Sequence, residues 1–244
     1  MAMEEKTAAF YLVEGLQALN ALDKGTSFYP LAFGLVASGL ERLLKLVIIL
    51  ESLRFQGVLP DKQELRTHDL LKLSEVTLRP MKSSAAVGRE LLEKDPILTT
   101  LLIALNDFAT EGRYLYMDGV LTPRRPALDP HKSFQQVEKA VLRSTSSTGE
   151  ARHSKLFGYV LTGMGQTYVR RRNELIVGSL VGFLKPLVQL FVECAGTTTP
   201  GYLRILLDAA PDKRLPTRAE LRKVVNSHEL EEWEAELEHC LVDR

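Results

Sequence analysis

The sequence predicts an all-α fold, an antiparallel helical bundle. Apolar residues recur at three- and four-residue intervals through most of its 244 residues, the period of helices that bury one face. No alternating run of β-branched residues bounded by hairpin turns competes with that pattern. Gly and Pro fall mainly between the periodic segments, which divides the chain into successive helices.

The first helix is expected from about Glu4 to Ala21, with Phe10, Leu12, Val13, Leu16 and Leu19 on its apolar face. Gly25, Thr26 and Ser27 separate it from the second. Pro30 falls in the first turn of that second helix, where a missing N–H costs nothing. The second helix runs to about Phe55 and Gly57 closes it. After Leu59-Pro60-Asp61, Thr67 is expected to cap a short helix, with Asp69 in its positive first turn. A further helix spans about Val87 to Lys94, and Pro96 begins a long one reaching about Met117. Pro123, Pro126 and Pro130, with Arg124 and Arg125 among them, form the clearest break. Beyond it come a helix from Ser133 to about Arg143, then one from Glu150 to about Ala195. This last is expected to kink or break between Gly178 and Pro186. Two amphipathic helices, about Thr217–Asn226 and Glu229–Leu241, end the chain. Residues 1–120 are thus one helical group, 121–132 a Pro/Arg-rich connection, and 133–244 helices that extend the bundle or form a small second one. Extension is favoured, because long helices joined by short connections pack antiparallel onto their neighbours.

Composition narrows the function. Lys+Arg and Asp+Glu both number 31, so the net charge is zero. This argues against strong non-specific attraction to nucleic acid or anionic lipid. Cys194 and Cys240 stand apart from any C-x-x-C pair and read as buried or semi-exposed free thiols of a reducing cytoplasm. The N-terminus lacks the basic and apolar regions of a signal peptide. Of the two most apolar stretches, Leu31–Leu50 carries Glu41, Arg42 and Lys45 at its centre, and Ile176–Ala195 carries Lys185. A lysine at mid-bilayer costs ~3 kcal/mol, so both are expected to be core helices, with no membrane partner. No H-E-x-x-H, G-x-S-x-G or ligand-spaced His/Cys set occurs, and neither a metal nor a cofactor is expected. Gly163-Met164-Gly165 lacks the lysine and preceding strand of a phosphate loop.

Three segments of the first half, in this order and spacing, resemble the HEPN superfamily of helical proteins. They are Ser38-Gly39-Leu40-Glu41-Arg42-Leu43-Leu44-Lys45, Thr67-His68-Asp69-Leu70-Leu71-Lys72-Leu73, and Leu105-Asn106-Asp107-Phe108-Ala109 leading to Arg113-Tyr114. The resemblance implies a HEPN-like bundle, a homodimer, and a role in bacterial stress or phage defence. It also implies RNA or a protein partner, such as an antitoxin or defence-complex subunit. Active members are metal-independent ribonucleases with an arginine, a short spacer and a histidine. Here Arg113 takes the arginine position, but Asp118 stands where the histidine belongs. An aspartate is ionised at neutral pH and is a poor proton shuttle; it would also pair with Arg113 and repel a phosphate. The standard ribonuclease activity is therefore not expected. Arg222 and His228 satisfy the spacing formally and make the alternative site of a divergent ribonuclease. A non-catalytic scaffold is the third reading.

The remaining candidates carry two readings each. Glu41 and Lys45, at i and i+4, make either a helix-surface ion pair or a polar cluster with His68 and Arg113 at the mouth of a groove. His68 either bonds a backbone carbonyl or a carboxylate such as Glu41, or contacts phosphate above a helix start. Tyr114 is either a core side chain or a site group. Arg170, Arg171 and Arg172, with Arg152, His153 and Lys155 upstream, make either an RNA-binding stripe or a solvated face partly neutralised by Glu174.

Overall fold

Two glycines set the closest approach in the bundle. The helices α1 (Ala2–Asn20) and α2 (Tyr29–Gln56) make the most extensive pairing in the fold. A Cβ on Gly15 would lie 2.8 Å from the backbone N of Val36, and one on Gly39 would lie 2.8 Å from that of Leu12. Leu12, Val13, Leu16 and Leu19 of α1 bury there against Val36, Leu40, Leu43 and Leu44 of α2. The computed structural model describes residues 2–22, 29–79, 83–110, 130–144, 165–195, 201–207 and 215. Among these every regular element is a helix.

The start and stop chemistry is local. Gly57 ends α2 at φ +70°, its N–H reaching Leu53 O at 3.2 Å, and a left-handed residue after a helix favours glycine. The chain returns through α3 (Lys62–Leu65), capped by Asp61, to α4 (Leu70–Thr77). The cap of α4 is Asp69, not Thr67: the Asp69 carboxylate accepts from Lys72 N at 2.9 Å. Thr67 acts one step earlier, its hydroxyl accepting from Asp69 N at 3.0 Å. The ionised carboxylate is the stronger acceptor at the positive helix end, and the hydroxyl shapes the turn leading into it. α5 (Ser83–Lys94) starts earlier than the periodicity suggests. Asp95 then caps α6 (Pro96–Thr110), accepting from Ile97 N and Leu98 N, with Pro96 at the first helical position.

The second half adds α7 (Pro130–Ser144), α8 (Gly165–Ala195) and the short 3-10 turn η1 (Tyr202–Leu206). The break expected between Gly178 and Pro186 is absent, and α8 runs unbroken through Pro186. Leu180, Val181, Phe183 and Leu184 are buried before the proline, and Leu187, Val188, Leu190 and Phe191 after it. Packing on both sides of the lost hydrogen bond overrides the local preference to stop. Within α8, Val169–Ala195 is long and apolar enough to cross a membrane by length and composition, but 61% of its apolar 18-residue stretch is buried inside the fold. Cys194 near its end is buried. Cys240 and the helices expected over Thr217–Asn226 and Glu229–Leu241 lie outside the described residues.

One continuous core runs from Ala8 to Leu206. Phe134 of α7 stacks on Tyr29 of α2 at 5.5 Å and meets Phe33 edge-on at 5.7 Å, while Phe33 meets Phe108 of α6 edge-on at 6.2 Å. Each such pair adds about 0.5–1.5 kcal/mol beyond its buried area. α7 and α8 therefore share the apolar interior of α1–α6.

Glu5 of α1 is 1% exposed and reaches η1, where its carboxylate accepts from Leu203 N at 3.3 Å. Its second oxygen has no hydrogen-bond partner among the described residues. Burial raises the Glu5 pKa above the ordinary carboxylate value, against the pull of the Leu203, Tyr202 and Gly201 amides and of Arg204. A raised folded-state pKa stabilises the fold below the ordinary value, and that benefit is lost as pH rises through the raised one. Glu5→Gln is thus expected to match or exceed the wild-type thermal midpoint at pH 7, with the difference moving in favour of wild type toward pH 5. Paired melts at the two pH values check this, and a variant penalty larger at pH 7 than at pH 5 would contradict it.

Candidate functional site

The polar cluster nearest to a site is built on α2. Its face toward α4 carries Glu41 and, one turn later, Lys45, with Leu40, Leu43 and Leu44 buried alongside. The Thr67–Asp69 turn that starts α4 brings His68 over the same carboxylate. Lys45 Nζ donates to Glu41 Oε1 at 2.7 Å. His68 Nδ1 lies 3.1 Å from Oε1 and 3.0 Å from Oε2. The Glu41 side chain is nearly enclosed, Lys45 is largely covered, and His68 is 56% exposed.

Burial pushes the Glu41 carboxyl up, but the Lys45 and His68 hydrogen bonds and charges outweigh it and hold the pKa below its ordinary value. A lowered folded-state pKa stabilises the fold above the ordinary value, and that benefit is lost as pH falls through the lowered one. Glu41→Gln is expected to cost about 1–3 kcal/mol at pH 7, with the penalty shrinking below about pH 4. Urea unfolding across pH reads this; a penalty unchanged by acid would show that the charge is irrelevant.

Two α6 residues hold the surroundings in register. Asn106 Oδ1 accepts from Leu70 N at 2.7 Å, fixing the first turn of α4 against α6. Asp107 Oδ2 accepts from Ser133 Oγ at 3.0 Å, joining α6 to α7. Neither role was assigned from the sequence, although both residues stand in the Leu105–Ala109 segment. A polar pair inside an otherwise apolar helix end was the signal available.

Glu41, Lys45 and His68 come together; the rest of the expected groove does not enter the picture. Arg113, Tyr114 and Asp118 lie outside the described residues, as do Arg222 and His228. Among the described residues no group of three or more His, Cys, Asp or Glu side chains is arranged to hold a metal ion. Chemically, the cluster holds one imidazole by its Nδ1 on a carboxylate shared with an ammonium. That arrangement orients His68, but it brings no unshared cation to receive a phosphate.

The arginine run resolves differently from a stripe. Arg170 Nε bonds Glu174 at 3.0 Å and Arg171 Nη1 bonds it at 3.3 Å, both on the exposed side. Arg172 is only 2% exposed. Successive helical residues turn by about 100°, so the third arginine reaches the face that carries Ile176 and Leu180. There it pairs with Glu138 of α7, and its Nε and Nη2 each reach Asn173 Oδ1 at 3.0 Å. Its guanidinium lies 5.5 Å over the Phe134 ring. Asn173 Nδ2 in turn donates to Asn20 O at 2.9 Å and Leu22 O at 2.7 Å, closing the carbonyl end of α1. The i, i+4, i+8 spacing of Arg172 with Ile176 and Leu180 marks that inward face in the sequence. Arg152, His153 and Lys155 lie outside the described residues.

A second surface lies where α2 ends and the chain turns back. Leu53, Phe55, Val58 and Leu59 are exposed there, Phe55 to 60%. Beside them an open groove of about 650 Å³ runs between α2, the returning connection and the end of α4. No family model, curated protein or solved structure matches this chain.

Proposed function

We propose that the chain is a HEPN-like binding module that acts by holding a protein partner, without the ribonuclease chemistry of that superfamily. The observation that carries this reading is the exposure of Phe55 and Leu59, which line one open groove where α2 ends. Large apolar side chains left exposed beside a groove are a mark of protein–protein contact. The charges support a protein over RNA. The net charge is zero, Arg170 and Arg171 share Glu174, and Arg172 is buried. Asp118 in place of a histidine argues against cleavage. The setting implied by the resemblance is bacterial stress response or phage defence, with an antitoxin or a defence-complex subunit as the partner.

The test is incubation of the purified chain with total RNA in EDTA at low salt, beside Arg113→Ala and His228→Ala. Intact RNA and no mobility shift are expected. Cleavage that either substitution abolishes would replace this reading with the divergent ribonuclease. A shift without cleavage would make RNA the partner. The homodimer is a separate claim read by light scattering, and a strict monomer removes it.

A further inference from the structure

The turn η1 is held by a helix from the other end of the chain. It has no capping side chain of its own, and Gly201 opens it at φ +83°. Leu203 N donates instead to Glu5 of α1, 198 residues earlier, and the Tyr202 and Gly201 amides draw on the same carboxyl. A 3-10 turn of five residues has little stability of its own. Its attachment comes from Glu5 and from Leu203 and Leu206, which are buried where η1 meets α1 and α8.

Glu5 is the sensitive part of that attachment. It is 1% exposed; one carboxyl oxygen meets Leu203 N at 3.3 Å and the other has no partner. A neutral carboxyl tolerates that enclosure, whereas a carboxylate left short of bonds gains by reaching water. Among the described residues no side chain of α2, α8 or η1 hydrogen-bonds it, and Arg204 of η1 is the charge that acts on it through space. Its neighbours on α1 are Glu4, paired with Arg42 of α2, and the enclosed Lys6. Burial outweighs the amides and Arg204 and holds the Glu5 pKa above the ordinary carboxylate value. Lifting η1 hydrates the group and returns it to that ordinary value. Closure is therefore favoured while the carboxyl holds a proton, and it loses ground as pH rises from the ordinary value through the raised one. We propose that η1 is a pH-sensitive strap: neutral Glu5 keeps it closed over the seam of α1 and α8, and ionised Glu5 releases it. The release is local, because η1 packs on α1 and α8 while α1 keeps its more extensive pairing with α2. What it uncovers is the apolar surface that Leu203 and Leu206 cover when closed.

Hydrogen exchange of the full chain, read by mass spectrometry from pH 5 to pH 8, tests this. The readout is the exchange of the 203–207 amides after division by the intrinsic base-catalysed rate. In wild type this corrected rate is expected to rise by up to about tenfold per pH unit and then level off. The amides of Leu12–Leu19 in α1 should show no such rise. Glu5→Gln, which keeps the acceptor for Leu203 N and cannot ionise, should hold the strap slow and flat across the range. Glu5→Ala, which removes the acceptor, should make it fast and flat. A flat wild-type profile overturns the strap, and that profile decides the matter even where a variant fails to fold. A rise shared equally by α1 overturns it as well, by showing that the whole fold opens. A rise that persists in Glu5→Gln overturns Glu5 as the group that controls it.

Discussion

Gly39→Val is expected to destabilise the chain by about 3 kcal/mol or more, at the upper end for overpacking a closed interface. For a chain of this size that lowers the thermal midpoint by roughly 6–12 °C. The reason is the nature of the neighbour. A Cβ at Gly39 meets the Leu12 backbone N at 2.8 Å, and one at Gly15 meets the Val36 backbone N at the same distance. Backbone cannot rotate aside, so α1 and α2 must separate, and the apolar seam between them opens. Alanine at Gly39 regains about 1 kcal/mol of helix propensity and should still lose stability. Gly88 is the control. A Cβ there comes 2.7 Å from Leu78 Cδ2, the far end of a side chain that can turn. Gly88→Ala is expected to cost less than about 1 kcal/mol. Circular-dichroism melts of the set decide it; Gly39→Val and Gly88→Ala melting together would remove the α1–α2 contact as the tight point of the fold.

Arg172→Met is expected to cost about 2–4 kcal/mol, most of it from the groups left behind. Methionine fills similar volume over Phe134 but supplies no donor to Glu138 or to Asn173 Oδ1. Asn173, held on one side by Arg172, then loses its orientation toward Asn20 O and Leu22 O at the end of α1. Glu138 is partly open to solvent and recovers some hydration, which keeps the loss below that of a fully enclosed pair. Arg172→Lys should recover less than half of it, because an ammonium cannot reproduce the planar fork toward two partners. Urea denaturation reads the series. A wild-type midpoint in Arg172→Met would make the guanidinium an incidental occupant, and the α1–α7–α8 junction would need another explanation.

What the sequence made legible was mostly local. The period of apolar positions, Gly57 after α2 and Pro96 at the start of α6 depend on neighbours a few residues away, and each marks its helix. The misplaced features depend on distant contacts. Pro186 reads as a break until the buried leucines and phenylalanines on both sides of it are known to pack on other helices. Arg170–Arg172 reads as one basic run, yet the third member turns inward to Glu138, and only the spacing to Ile176 and Leu180 hints at it. Thr67 and Asp69 are both acceptable caps, and the turn they make together selects the carboxylate. Of the site, Glu41 and Lys45 announce themselves at i and i+4. The closure of His68 on Glu41 and of Asn106 on Leu70 joins segments that no local pattern relates. The exposed run at the end of α2 was hidden for the same reason: apolar letters look alike until burial separates Leu50 from Phe55.

The most direct test of the partner-holding surface is site-specific photocrosslinking in the cells that make the protein. A photoreactive side chain is placed at Val58, in the exposed connection just after α2, and at Lys139, on the exposed face of α7. The predicted result is a discrete protein adduct from Val58, absent from Lys139 and lost when Leu59 is also changed to glutamate. No adduct from Val58, equal adducts from both positions, or an adduct removed by ribonuclease would contradict it.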